Sequence, residues 1–139
     1  MTIKETQEEI IDEFSMFDDW MERYEYIIEL GKGLPLIDAQ YQVEENLIKG
    51  CQSQVWLYAE ESNGNIVFTA NSDAILTKGI IAILIRVFSG HKAEDILNAD
   101  LSFIDEIGLK EHLSPTRANG LVSMVKQIRM YALAYQAKH

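Results

Sequence analysis

Cys51 is the only cysteine among the 139 residues and the clearest candidate nucleophile. It lies in the stretch LIKGCQSQVWLY, residues 47–58. A thiol reacts as its thiolate, and nearby cations or a helix N-terminus help it ionise. Packed in a core, the same residue is a small inert hydrophobe. Local sequence favours a reactive role. Gly50 frees the backbone, and the run Gln52-Ser53-Gln54 is too polar for a core slot. Two features could sit beside the thiol: the N-terminus of a helix capped near Ser72/Asp73, and Arg117 in the first turn of the last helix. Spacing alone does not place either one.

Other chemistries find little support. A thiolate zinc site usually takes four Cys or His ligands. This chain offers one Cys and three scattered His: His91, His112 and His139. No H-x-x-x-H or C-x-x-C pair is present, and the common Cys-ligated clusters take four thiolates. A Cys–His dyad would need one of these histidines beside Cys51. No G-x-x-x-x-G-K-[ST], G-x-G-x-x-G or G-x-S-x-G occurs. LGKGLP is glycine-rich but reads as a helix end, and Asp18/Asp19 read as caps rather than an acid–base pair.

These residues must be held by elements that the sequence outlines. Ile10, Phe14 and Phe17 repeat at helical spacing over 4–17, and the stripe continues through Trp20, Met21, Tyr24 and Ile28. Asp18 or Asp19 would cap a second helix there, ended by Gly31 and Gly33. The stripe of Phe14, Phe17, Trp20, Tyr24 and Ile28 is read as core. A short strand is expected around Val43 to Lys49. QVWLYA (54–59) and NIVFTA (65–70) read as strands, joined by the Asn63-Gly64 turn, since both residues tolerate positive φ. Residues 73–88 read as a buried helix, capped by Ser72/Asp73 and stopped at Gly90. Gly79 inside it suggests close packing against the sheet. Short helices follow over 92–100 and 102–108. Ser114 and Pro115 open a last helix lined by Leu121, Val125, Ile128, Ala132 and Tyr135. The expected fold is one α+β domain over 1–139: a small antiparallel sheet of about three strands packed against N- and C-terminal helices.

Composition bounds the partners. Apolar content of 47 % and charged content of 24 % fit a folded domain. A net charge of −10 argues against nucleic acid and against an anionic membrane surface. Ten acids crowd residues 1–30, whereas residues 112–139 carry Arg117, Lys126, Arg129 and Lys138 and no acid. This reads as a solvated acidic face near a mildly basic one, or else as a docking surface for a basic partner. The longest apolar run, IIAILI (80–85), falls short of the roughly 20 residues that span a bilayer. No signal peptide is evident, and a lone thiol fits a reducing cytoplasm.

From Trp20 to the last helix the chain resembles the SufE family, sulfur acceptors that work beside cysteine desulfurases in iron–sulfur cluster assembly. The likeness rests on RYEYIIELGKGLP (23–35), GCQSQVW (50–56), SDAILTKGIIAIL (72–84) and HLSPTRANGL (112–121). The resemblance implies a SufE/scaffold-like fold and a persulfide relay. Cys51 would take sulfur from a SufS-like desulfurase, whose pyridoxal phosphate does the extraction, and pass it to a SufBCD-like scaffold. The chain itself would need no cofactor or metal, and activity is expected only with the desulfurase. The family's cysteine loop lies in a partly shielded apolar cavity and is expected to swing out on docking, with Gly50 as hinge. Gln52, Ser53, Gln54, Asp73 and Arg117 match the family's surroundings of the cysteine and would support the loop or the thiolate. Asn71 stands where many relatives carry an acid. Homodimerisation stays open. The alternatives are a cluster scaffold, which needs more ligands than this chain owns, and a partner-independent thiol enzyme or redox sensor acting through Cys51.

Overall fold

The structure is a computed structural model describing residues 1–138. Helices α1 (Ile3–Ser15) and α2 (Trp20–Gly31) come first, and two 3-10 turns follow at Ala39–Tyr41 and Glu44–Asn46. Strands β1 (Val55–Ser62) and β2 (Asn65–Ser72) form one antiparallel hairpin. Helices α3 (Ile75–Phe88), α4 (Ala93–Leu97), α5 (Ser102–Glu106), α6 (Leu109–His112) and α7 (Pro115–Lys138) complete the α+β chain.

Local chemistry accounts for these boundaries. Thr2 and Glu5 form a reciprocal capping box that starts α1, and Asp19 accepts the Glu22 amide to start α2. The hairpin turn uses Asn63 at φ 53 and Gly64 at φ 82, the left-handed geometry that matches strand twist. Alternate residues then share one face. Val55, Leu57 and Ala59 on β1, with Ile66, Phe68 and Ala70 on β2, are all buried. Ser114 accepts the Arg117 amide at 3.3 Å and opens α7.

Several expectations need correction. The sheet has two strands rather than three. Residues 44–46 turn instead of extending, and only Leu47 bridges Trp56. The edge of β1 is covered another way: Tyr131 and Tyr135 of α7 donate to the Leu57 and Ala59 carbonyls at 3.1 and 3.0 Å. Those carbonyls therefore have partners without a third strand. Ser72 and Asp73 do not cap α3. Ala74 occupies that position with no side-chain bond of its own; Ser72 Oγ accepts the Ala74 amide at 3.3 Å, and both Ser72 and Asp73 also bond Gln54 of the cysteine loop. Gly79 packs on α2, not on the sheet. A Cβ there would overlap the Ile27 carbonyl oxygen and lie 2.6 Å from Ile27 Cγ2. In the aromatic stripe, Phe14 is buried while Phe17, Trp20, Tyr24 and Ile28 are half-buried. Ile27, not Ile28, is the fully buried residue of α2. The acids Glu9 and Glu13 pair with Arg86 of α3, so the basic α7 is not their counter-charge.

The core centres on α3, which buries Ile80, Ile81, Ile83, Leu84, Ile85, Val87 and Phe88. Each such side chain is worth about 1.5–3 kcal/mol when fully buried. This makes α3 a rigid wall, and its first turn faces the segment that carries the thiol. No helix among the described residues is long and apolar enough to cross a membrane.

Candidate functional site

The cysteine loop is tied down at both ends. On one side the Ile48 amide donates to the Val55 carbonyl at 2.8 Å. On the other, the Gln54 amide donates to Asp73 Oδ1 at 3.0 Å, and the Gln54 carbonyl accepts Ser72 Oγ at 2.8 Å. Between these ties lie residues 49–53. Gly50 adopts φ +93, a left-handed value that suits glycine. A Cβ at Gly50 would also lie 2.5 Å from Ser123 Oγ on α7. The loop therefore closes down on α7 at Gly50, which places the next residue, Cys51, against Gly120.

Cys51 is half-buried, and its thiol donates weakly to the Gly120 carbonyl at 3.6 Å. It opens onto a cavity of about 220 Å³. Gln52 and Ser53 contribute from the loop, and Thr77 and Ile80 from α3. The start of α7 supplies Ser114, Thr116, Arg117, Gly120 and Met124. Gly120 is buried, and a Cβ on it would sit 3.5 Å from Cys51 Sγ, so its missing side chain leaves free volume beside the sulfur.

Four sequence-predicted residues thus meet at one cavity: Cys51, Gln52, Ser53 and Arg117. Gln54 and Asp73 do not line it. They anchor the loop through the backbone contact just described. Gly50 shapes the loop from outside the cavity. Asn71 lies apart as well, with its amide donating to Gln42 Oε1 at 3.0 Å and its own oxygen accepting the Ser72 amide. Both histidines within the described residues are elsewhere. His112 stacks on Trp20, and His91 lines a larger cavity of about 710 Å³ between α1 and the α4–α5 region. His139 lies outside the described residues. Sequence reasoning missed Thr77, Ile80 and Met124, which look like ordinary helix residues. For Gly120 a signal existed: glycine inside a helix costs roughly 1 kcal/mol and so marks a close approach.

The electrostatics suppress the resting thiol. Burial pushes the Cys51 pKa up, because the charged thiolate is disfavoured away from water. Arg117 lines the cavity but is exposed, and it does not reverse that shift. Reactivity should follow. The alkylation rate of Cys51 by iodoacetamide is expected to keep rising with pH after a denatured control has levelled off, since the folded thiol ionises later. A folded-state plateau at or below the control's pH would contradict this environment.

Comparison with known proteins gives a consistent pattern. A family model described as "SufE: Fe-S metabolism associated domain" matches residues 8–132. An uncharacterised SufE-like protein of Rhizobium meliloti is 42 % identical over 130 residues, covering 90 % of this chain and 93 % of that protein. One from Rhizobium etli is 44 % identical over 127 residues, covering 88 % and 86 %. SufE-like protein 1, chloroplastic/mitochondrial, of Arabidopsis thaliana is 37 % identical over 94 % of this chain and 36 % of its own length. The solution structure of a hypothetical protein from Thermus thermophilus superposes with a TM-score of 0.78 at 18 % identity, over 95 % of this chain and 96 % of that one. That last likeness concerns the fold.

Proposed function

Because the chain belongs to the SufE family, with its role in iron–sulfur metabolism, we propose that it is a sulfur acceptor. Cys51 takes the outer sulfur of a persulfide held by a pyridoxal phosphate-dependent cysteine desulfurase, stimulates that enzyme, and relays the sulfur to a cluster scaffold. The chemistry is thiol exchange. The Cys51 thiolate attacks the outer sulfur and forms a new S–S bond. The donor's S–S bond breaks, and the donor cysteine leaves as a thiolate. Cys51 is left carrying the persulfide.

The observation that carries this reading is the loop itself: one thiol on a short segment tied at Ile48 and Gln54, resting over a small cavity. Burial pushes the thiol pKa up, so a move of the loop into a more polar setting would favour the thiolate. Gly50 can absorb the backbone change at the near end, while the Asp73–Gln54 contact holds the far end. A redox sensor works by the opposite arrangement, a low-pKa exposed thiolate, so the raised pKa weighs against that alternative. A lone carrier thiol also needs a reducing compartment to stay free.

The test mixes the protein with a desulfurase and cysteine. Mass spectrometry should find Cys51 heavier by one sulfur atom, and desulfurase turnover should rise. If neither the adduct nor the stimulation appears, the proposal is wrong.

A further inference from the structure

Thr77 is the third residue of α3 and only 6 % exposed, yet it lines the Cys51 cavity. Its hydroxyl has no hydrogen-bond partner among the described residues, and its oxygen is not sealed from solvent. Buried hydroxyls are normally paired, and a helical threonine usually finds the carbonyl one turn back. Thr77 shares the wall of this cavity with Cys51. Across from it, Gly120 offers no side chain beside Cys51 Sγ. Ile80 and Met124 make part of the remaining wall apolar.

We propose that the Thr77 hydroxyl holds the cargo: once Cys51 is a persulfide, Thr77 donates a hydrogen bond to the terminal sulfur inside this cavity. The inference rests on the reading of Cys51 as a sulfur acceptor. It adds a residue that contacts the bound sulfur and acts on the loaded state alone. A terminal persulfide sulfur carries negative charge when ionised, and a donor aimed at it stabilises that form. The resting thiol donates to the Gly120 carbonyl and has no hydrogen bond from Thr77. The contact slows loss of the sulfur to small thiols and other nucleophiles while the loop is closed.

The experiment loads Cys51 chemically with sodium tetrasulfide, in which the Cys51 thiolate takes one sulfur and a shorter polysulfide leaves. Excess reagent is removed, and the adduct's lifetime in dithiothreitol is followed by mass spectrometry. Thr77→Val should shorten that lifetime by about tenfold, the weight of one hydrogen bond to a charged group. Thr77→Ser should restore the wild-type lifetime. Alkylation of the unloaded thiol should be the same in all three proteins. Thr77→Ala removes the hydroxyl without adding apolar volume and must behave as Thr77→Val. A wild-type lifetime in either folded variant overturns the proposal. So does a change in unloaded alkylation as large as the change in lifetime, which would mark a structural role. Chemical loading needs no desulfurase. A wild-type protein that keeps a Thr77-dependent persulfide yet takes none from a desulfurase would therefore remove the functional reading while supporting the role of Thr77.

Discussion

Gly79→Ala is expected to lower the melting temperature by about 10 °C and to loosen the cysteine site with it. Alanine is the better helix former by roughly 1 kcal/mol, so propensity alone would predict a gain. Geometry decides otherwise. The new Cβ would overlap the Ile27 carbonyl oxygen, with Ile27 Cγ2 and the Ile27 carbonyl carbon at 2.6 and 2.7 Å. Gly31 lines the same crossing from α2, where a Cβ would lie 2.9 Å from the Gly79 amide nitrogen. The obstacles are backbone atoms of a packed helix and cannot rotate away. Forcing the helices apart costs about 3 kcal/mol or more, typical of a severely overpacked core. For a domain of this size that corresponds to about 10 °C. α3 also supplies Thr77 and Ile80 to the cavity, so its displacement should speed alkylation of Cys51. A melting curve and an iodoacetamide time course measure both effects. A melting temperature within about 2 °C of wild type would refute the helix crossing described above.

Cys51→Ser is expected to abolish sulfur uptake from a desulfurase, a fall of roughly a thousandfold or more, as when a nucleophile is lost. Folding should survive. The sulfur's hydrogen bond is one weak contact to the Gly120 carbonyl, and a hydroxyl can replace it. The loop keeps its ties at Ile48 and Gln54. What disappears is ionisation, because a serine hydroxyl forms no useful amount of alkoxide near neutral pH. The measurement compares sulfur adduct, desulfurase turnover and melting temperature in the two proteins. A sulfur adduct that persists in the variant would move the chemistry away from residue 51 and sink the proposal. The same pair separates the sensor alternative. A wild-type thiol that reacts with peroxide unaided, at a rate the partner does not change, would favour that reading.

Much of the frame was legible beforehand because it is written in local rules. The hairpin follows from Asn63-Gly64 between two β-branched and aromatic runs. The start of α2 follows from Asp19, and that of α7 from Ser114 and Pro115. The missing third strand was not legible, because the Leu57 and Ala59 carbonyls are taken by tyrosines 74 and 76 residues away. The cap expected from Ser72/Asp73 failed for a similar reason. Residues suited to a local cap were drawn into a contact with Gln54, 18 and 19 residues away.

The amino-acid sequence alone establishes a single thiol, on a polar segment leading into a hairpin, and motifs around it that resemble one family. Residue type and short-range spacing suffice for that. Which distant elements meet at the thiol is a matter of tertiary structure: burial that raises its pKa, a carbonyl from Gly120 across 69 residues, and a cavity wall that includes Arg117 and Thr77. Desolvation and hydrogen bonding depend on which distant helices close over a residue, and no local pattern encodes that closure.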